Sequence, residues 1–199
     1  MISAIILAAG QSRRMGRPKL LLPWGNVTVI EHVIHVFAVS GIADILVITG
    51  GVQEQIQELI LKCSQSYPVH SVHNKDYENG EMLSSIQCGL RYLTKKASRA
   101  VLIGLGDQPQ VQERSVRSVR DAFLQTRIPL VVPSYQLRRG HPWLVARPLW
   151  TELLKMSPIQ TPRDFLTAHA ENIHYVDIAS PSILSDLDTP EDYNMARPQ

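Results

Sequence analysis

Only two cysteines occur in the 199 residues, Cys63 and Cys88, and no partners at metal-ligand spacing accompany them. Their scarcity argues against both a disulfide framework and a structural zinc site. Net charge is also scarce. A formal +2 gives no extended basic face, so neither a nucleic acid nor a membrane surface is an expected partner. Long apolar runs are missing as well. The opening MISAIILAAG is short, carries no basic leader, and gives way to a Gly-containing loop before a signal peptide or spanning helix could form. It reads as a buried first strand of a cytoplasmic protein. Two phosphate-loop signatures are absent from the next stretch, LAAGQSRRMGRPK (7–19). It has neither the G-x-x-x-x-G-K-[ST] spacing of a Walker loop nor the G-x-G-x-x-G of a dinucleotide oxidoreductase.

What the chain does have is strict alternation of strand and helix patterns. Ile2 to Ala8 is a near-continuous apolar run, as in a parallel strand covered on both faces. Helical spacing follows over Thr28 to Val39, then a strand over Ala43 to Thr49 and a helix from Gln53 to Cys63. Further strands are expected at Val69 to Val72, Ala100 to Leu105, Pro129 to Pro133, Trp143 to Ala146 and Ile173 to Ile178. Helices are expected over 82–95, 111–125, 149–155 and 163–170, with a last short one opening at Pro190. The pattern predicts an α/β protein built on one Rossmann-like, mainly parallel, doubly wound sheet, with residues 1–199 forming a single domain. In such a sheet ligands collect beyond the carboxyl ends of the strands. The loops after Ala8, Thr49 and Leu105 are therefore candidates.

The first loop packs Ala8, Ala9 and Gly10 ahead of Arg13, Arg14, Arg17 and Lys19. Small residues let a ligand approach the backbone amides, while Arg14 as a fork and Lys19 as a point charge reach anionic oxygens. A solvated basic loop is the plainer alternative. Asp107, in GDQP (106–109), stands past a buried strand, where a carboxylate can hold Mg²⁺ and leave positions for phosphate and water. It could equally start a turn. In SDLDTPEDY (185–193), one of Asp186, Asp188, Glu191 and Asp192 supplies a second metal carboxylate if the fold returns this segment to the Asp107 loop; the plainer reading is Asp188 or Thr189 as an N-cap before Pro190, with acids in the first turn. Asn79-Gly80 marks a turn ahead of Ser84 and Ser85, whose hydroxyls could meet a nucleotide or simply cap a helix. RRGHP (138–142) suits a second anionic ligand. No Ser-His-Asp or Cys-His nucleophile set stands out.

Taken in order, LAAGQSRRMGRPKLLLPWG (7–25), NGEMLSSIQCGL (79–90), GDQP (106–109), RRGHP (138–142) and DLDTPEDY (186–193) resemble the MobA-like nucleotidylyltransferases. The likeness is greatest to the molybdenum cofactor cytidylyltransferases and the accessory proteins of xanthine dehydrogenase-type enzymes. It spans nearly the whole chain and implies the nucleotide-diphospho-sugar transferase fold. It also implies transfer of CMP from CTP to the phosphate of molybdopterin, with release of pyrophosphate and Mg²⁺ as cofactor, in the maturation of a molybdenum hydroxylase.

On that resemblance Arg14, Lys19 and Asp107 are catalytic. Leu7, Ala8, Ala9, Gly10, Gly80, Ser84, Ser85 and Gly106 line the nucleotide together with Arg14 and Lys19. Arg139 and His141 face the acceptor, and Asp107 and Asp188 hold the metal. The pair Ala8-Ala9, where guanylyl relatives usually carry Ala-Gly, favours CTP. Two departures stand out. Residues 155–166 replace a Gly-Asp-x-Gly-Ala-Arg stretch, with Arg163 the one candidate substitute, and Glu81 is an added residue beside the usual Gly-Met. Other readings remain open: the same chemistry with GTP or a sugar phosphate, or a non-catalytic carrier of the finished cofactor.

Overall fold

The structure, a computed structural model, describes residues 1–79 and 81–198. Its frame is one sheet. In chain order the strands are β1 (Ile2–Ala8), β2 (Pro23–Trp24), β3 (Val27–Thr28), β4 (Ile45–Thr49), β5 (Val69–His73), β6 (Ala100–Leu105), β7 (Leu130–Tyr135), β8 (Arg138–Arg139), β9 (Trp143–Ala146) and β10 (His174–Asp177). The helices are α1 (Val29–Val39), α2 (Gln53–Cys63), α3 (Glu81–Leu93), α4 (Glu113–Thr126), α5 (Trp150–Lys155), α6 (Pro162–Ala168) and α7 (Pro190–Ala196). The sheet runs β10-β7-β9-β6-β1-β4-β5, with β8 folded onto β7, while β2 and β3 form a separate small ribbon. Pairing is parallel except that β9 lies antiparallel between β6 and β7, and β8 is antiparallel to β7. The sheet is thus mainly parallel, as expected, with one reversed strand inside it.

Both faces are covered, which explains the unbroken apolar first strand. Ala4, Ile6 and Ala8 of β1 join the core beneath α1, α2 and α4, whereas Ile5 joins the core beneath α3, α5 and α6. A period-two strand with helices on each side has no solvent face to fill with polar residues.

Chain order also fixes where a ligand goes. From β1 the chain moves out to β4 and β5, then returns across β1 to β6. Strand order reverses between β1 and β6, so a crevice opens beyond their carboxyl ends. Two glycines hold the loop after β1 against its neighbours there. The Gly106 N–H donates to the Leu7 carbonyl at 2.9 Å. At Gly50, just past β4, an added Cβ would lie 2.5 Å from the Ala9 carbonyl oxygen.

Helix starts are defined by side chains. Thr28 and Glu31, Thr161 and Asp164, and Thr189 and Asp192 each form a reciprocal capping box at the head of α1, α6 and α7. The first of these is buried. Glu31 accepts from the Thr28 N–H and hydroxyl, both at 2.8 Å, and from Lys62 Nζ at 2.9 Å. Burial alone would raise its pKa, but the Lys62 and Thr28 hydrogen bonds outweigh it and hold the carboxyl below its ordinary value.

Two stability outcomes follow. Gly50→Ala should lower the unfolding free energy by roughly 1–3 kcal/mol in urea melts, because the methyl meets backbone that has nowhere to move. Glu31→Gln should also destabilise, in a pH-dependent way. A depressed carboxyl stabilises fully above its ordinary value of 4.5 and loses that contribution as pH falls through its lowered folded value. The gap between wild type and Glu31→Gln should therefore narrow on acidification below 4.5, as measured by urea unfolding at several pH values.

Candidate active site at the strand reversal

The loop after β1 is built to lie along the crevice. Ser12 takes a left-handed conformation (φ 52°), and its carbonyl accepts from the Met15 and Gly16 N–H groups, both at 3.1 Å. Met15 is buried and anchors the turn. The Ser12 hydroxyl accepts from the Lys19 N–H at 3.2 Å, which fixes where Lys19 begins. Around this loop lies a cavity of about 550 Å³. Leu7, Ala8, Ala9, Gly10, Arg14 and Lys19 line one wall, Asp107, Asp186 and Asp188 a second, and Tyr77, Met82 and Ser85 a third.

Ion pairing organises the centre. Lys19 Nζ is paired directly with Asp107 Oδ2 and reaches Asp188 Oδ1 at 3.2 Å. Arg14 closes the group from outside, its Nη2 lying 2.9 Å from Asp188 Oδ2. Burial disfavours the Lys19 ammonium, yet the charges and hydrogen bonds of Asp107, then of Asp188, outweigh that and raise its pKa. Lys19 is therefore a fixed cation.

The C-terminal segment arrives at this point through two hydrogen bonds. The Leu187 N–H donates to the Asp107 carbonyl at 3.0 Å, and Gln108 Nε2 donates to Asp186 Oδ1 at 2.7 Å. Leu187 is buried, while Asp186 and Asp188 on either side of it line the cavity. Although Asp186 opens to the cavity, protein atoms crowd its carboxyl, and that crowding raises its pKa. Asp107 and Asp188 add to the rise, against the Gln108 hydrogen bond.

The capping question at Asp188 resolves here. Thr189 and Asp192 cap α7, with Asp192 accepting from the Asp188 and Thr189 N–H groups at 3.2 and 2.8 Å. The Asp188 carboxylate is thereby left for Lys19 and Arg14.

Asp107 and Asp188 converging on one ammonium form a donor set that also suits Mg²⁺, which takes one or two carboxylates and completes its shell with water and phosphate. Among the described residues, no cluster of three or more His, Cys, Asp or Glu side chains makes a self-sufficient metal cage. Two carboxylates would leave such an ion positions to fill from outside the protein.

The other expected residues divide. Ser85 lines the cavity; Ser84 does not, and its hydroxyl donates to the Glu81 carbonyl at 3.1 Å. Gly106 serves as the backbone lock to Leu7. Gly80 lies outside the described residues. Glu81, the residue added beside the Gly-Met pattern, opens α3 in a left-handed conformation (φ 46°), a geometry that costs a non-glycine residue on the order of 1 kcal/mol or more.

Arg139 and His141 are not part of this cavity. Arg139 lies over the Tyr175 ring, donates to its hydroxyl at 2.9 Å, and lines a separate cleft of about 860 Å³ beside the turn at Gln136-Leu137. The His141 N–H donates to the Ile183 carbonyl, and protein packed around the imidazole pushes its pKa down to about 4. The ring is neutral at pH 7 and carries no charge for an anion. Arg163, in the first turn of α6, is exposed and outside the cavity.

Three organising residues carry no sequence signal of their role: Met15, buried under the turn; Asn74, whose Nδ2 donates to Ser84 Oγ and Ser85 Oγ; and Gln108. Gln108 was legible as an amide flanking the candidate metal aspartate, but its partner Asp186 lies 78 positions away.

Known proteins resemble this chain over nearly its whole length. The Escherichia coli molybdenum cofactor cytidylyltransferase is 27% identical over 197 residues, covering 98% of this chain and 95% of that protein. Nicotine blue oxidoreductase of Paenarthrobacter nicotinovorans is 26% identical, covering 96% and 93%. A nucleotidyl transferase structure from Methanothermobacter superposes with a TM-score of 0.81 at 23% identity, over 99% of this chain and 96% of that one, and supports the fold. The MobA-like NTP transferase domain matches residues 4–173, from the first strand almost to the last, and the chain belongs to that family.

Proposed function

We propose that this protein transfers CMP from CTP to the terminal phosphate of molybdopterin and releases pyrophosphate. The observation that carries the reading is the joining of Lys19 with Asp107 and Asp188 at the strand reversal, beside the open backbone of Ala8, Ala9 and Gly10. In the transfer, an acceptor phosphate oxygen attacks the α-phosphorus in line. The bond from that phosphorus to the bridging oxygen breaks, and pyrophosphate departs with the electron pair. The attacking oxygen is already ionised at neutral pH, so no general base is required, and the cavity lining contains no histidine or cysteine.

The difficulty is bringing two anions together, and this chain supplies the positive charge. Arg14 and Lys19 bind the triphosphate oxygens, and the amides after Ala8 orient the chain of phosphates. Asp107 and Asp188 would hold Mg²⁺, which when bound neutralises the triphosphate and the departing pyrophosphate. The acceptor's ring system would lie in the cleft beside Arg139 and Tyr175, at the carboxyl end of β7 on the same edge of the sheet. Ala9, only 8% exposed where guanylyl relatives carry Gly, narrows the loop and favours the smaller base. A hydride-transfer reading, which the name of the Paenarthrobacter relative raises, lacks a dinucleotide fingerprint in this loop. Among the described residues no helix is long and apolar enough to cross a membrane. The proposed reaction belongs in the cytoplasm, beside a molybdenum hydroxylase that receives its product.

With Mg²⁺ and molybdopterin, pyrophosphate release should be faster from CTP than from GTP, measured by a coupled phosphate assay across four nucleoside triphosphates. Tight pterin binding with no release from any triphosphate would make the protein a carrier instead. Asp107→Asn should lower kcat by about a hundredfold or more with an unchanged circular dichroism spectrum, whereas Lys19→Ala should mainly raise KM for CTP. Near-wild-type turnover in Asp107→Asn would remove that residue from the metal site.

A further inference from the structure

The third wall of the cavity is organised by a residue with no assigned role. Asn74 follows β5 and is only 3% exposed. Its N–H donates to the Thr49 carbonyl at 2.9 Å, tying it to the end of β4. Its side-chain oxygen accepts from the Asp76 N–H at 3.1 Å, which orients the amide. The two Nδ2 hydrogens therefore face the first turns of α3, donating to Ser84 Oγ at 2.8 Å and Ser85 Oγ at 3.0 Å.

A hydroxyl has one proton to give and two lone pairs to receive. Ser84 gives its proton to the Glu81 carbonyl. Ser85 receives from Asn74 and, among the described residues, has no protein acceptor for its own proton. Ser85 lines the cavity. Because Asn74 occupies it as an acceptor, its O–H is left as a donor toward whatever fills that wall. A ligand acceptor at that wall would take this proton in place of water.

Charge decides which part of a nucleotide this is. Glu81 and Met82 share α3 with Ser85, Tyr77 and Glu78 come from the segment before that helix, and all line the cavity, whereas Arg14 and Lys19 line it from the loop after β1. A phosphate beside two glutamates would be repelled. A neutral base with carbonyl or ring-nitrogen acceptors is not. We propose that Asn74 is a positioning residue that fixes the Ser85 hydroxyl as a hydrogen-bond donor to the base of the bound nucleotide. The assignment rests on the nucleotidyl-transfer reading and adds a specificity element to it.

The test is a double-mutant cycle read by CTP binding, with inorganic tripolyphosphate as a competitor that has no base. Asn74→Asp keeps the shape but turns the donor into an acceptor, so Ser85 would give its proton to the new carboxylate. Asn74→Asp and Ser85→Ala should each weaken CTP by about tenfold, the worth of one hydrogen bond to a ligand. The double variant should be no worse than either, and Ser85→Thr should restore binding. Tripolyphosphate affinity should stay near wild type throughout.

An equal loss from Asn74→Asp in the Ser85→Ala background, or an equal loss of tripolyphosphate binding, would mean that Asn74 acts through the fold alone and would overturn the proposal. If Asn74→Asp does not fold, Ser85→Ala decides: unchanged CTP affinity with unchanged tripolyphosphate affinity overturns it. A wild type that binds no nucleotide sinks the transferase reading itself, whereas normal CTP binding in every variant sinks only the role of Asn74.

Discussion

Lys19 between Asp107 and Asp188 is the interaction on which the remainder of the site depends, because it joins three distant pieces of chain. Lys19 comes from the loop after β1, Asp107 from the end of β6, and Asp188 from the segment before α7. Each piece is held by backbone before its charge is used. Ser12 receives the Lys19 N–H, Gly106 is locked to Leu7, and the Leu187 N–H reaches the Asp107 carbonyl. Half-buried charges are costly when unpaired, and the pairing offsets that cost only while the geometry is held. The sheet supplies the rigidity, since β1 is paired on both sides along its length.

The same cluster explains the form in which a nucleotide would have to enter. At rest the carboxylates already neutralise Lys19 and engage Arg14. A bare triphosphate would compete with Asp107, Asp186 and Asp188 for those cations and meet repulsion from all three. On the proposed reading, a triphosphate accompanied by a divalent cation would exchange partners instead: phosphate oxygens would go to Lys19 and Arg14, and the carboxylates to the cation. The cation would cancel about half of the triphosphate's charge, which lowers the cost of binding a polyanion in a partly dehydrated space. Burial first, and then the charges of Asp107 and Asp188, raise the pKa of Asp186 beside them.

Most of the frame was legible because parallel strands under two helical layers write themselves as short apolar runs. Ile2–Ala8, Ile45–Thr49 and Ala100–Leu105 fall where the pattern places strands, and the reversal that opens the crevice follows from their order. The reversed hand of β9 was not legible, since Trp143–Ala146 has the same apolar character whichever way it runs. Nor was the β2–β3 ribbon, whose two-residue strands are too short to show a period. In the site, the charged residues declared themselves by type and position. Their organisers did not: Met15 acts by burial, while Asn74 and Gln108 act through partners that only folding brings near. The helix cap at Thr189 was readable, but its meaning for Asp188 depended on the chain returning to β6.

The stretch from 155 to 166, which departs most from the related pattern, has a structural occupation of its own. Trp150 and Leu153 of α5 and Phe165 and Leu166 of α6 are buried in the core beneath α3. Gln87 of α3 holds the end of α5, donating to the Leu153 and Met156 carbonyls at 2.9 and 3.0 Å. Residues between the two helices are then constrained by closing this layer, and the capping box at Thr161 fixes where α6 restarts. An arginine at 163 on the exposed side of that helix cannot also reach the crevice. Arg139, held over Tyr175, is the arginine that lines the cleft at the β7 end of the sheet. The two cavities are thus built by different means: backbone and ion pairs at β1 and β6, an aromatic ring with one arginine at β7 and β10. Divergence can alter the second without disturbing the first.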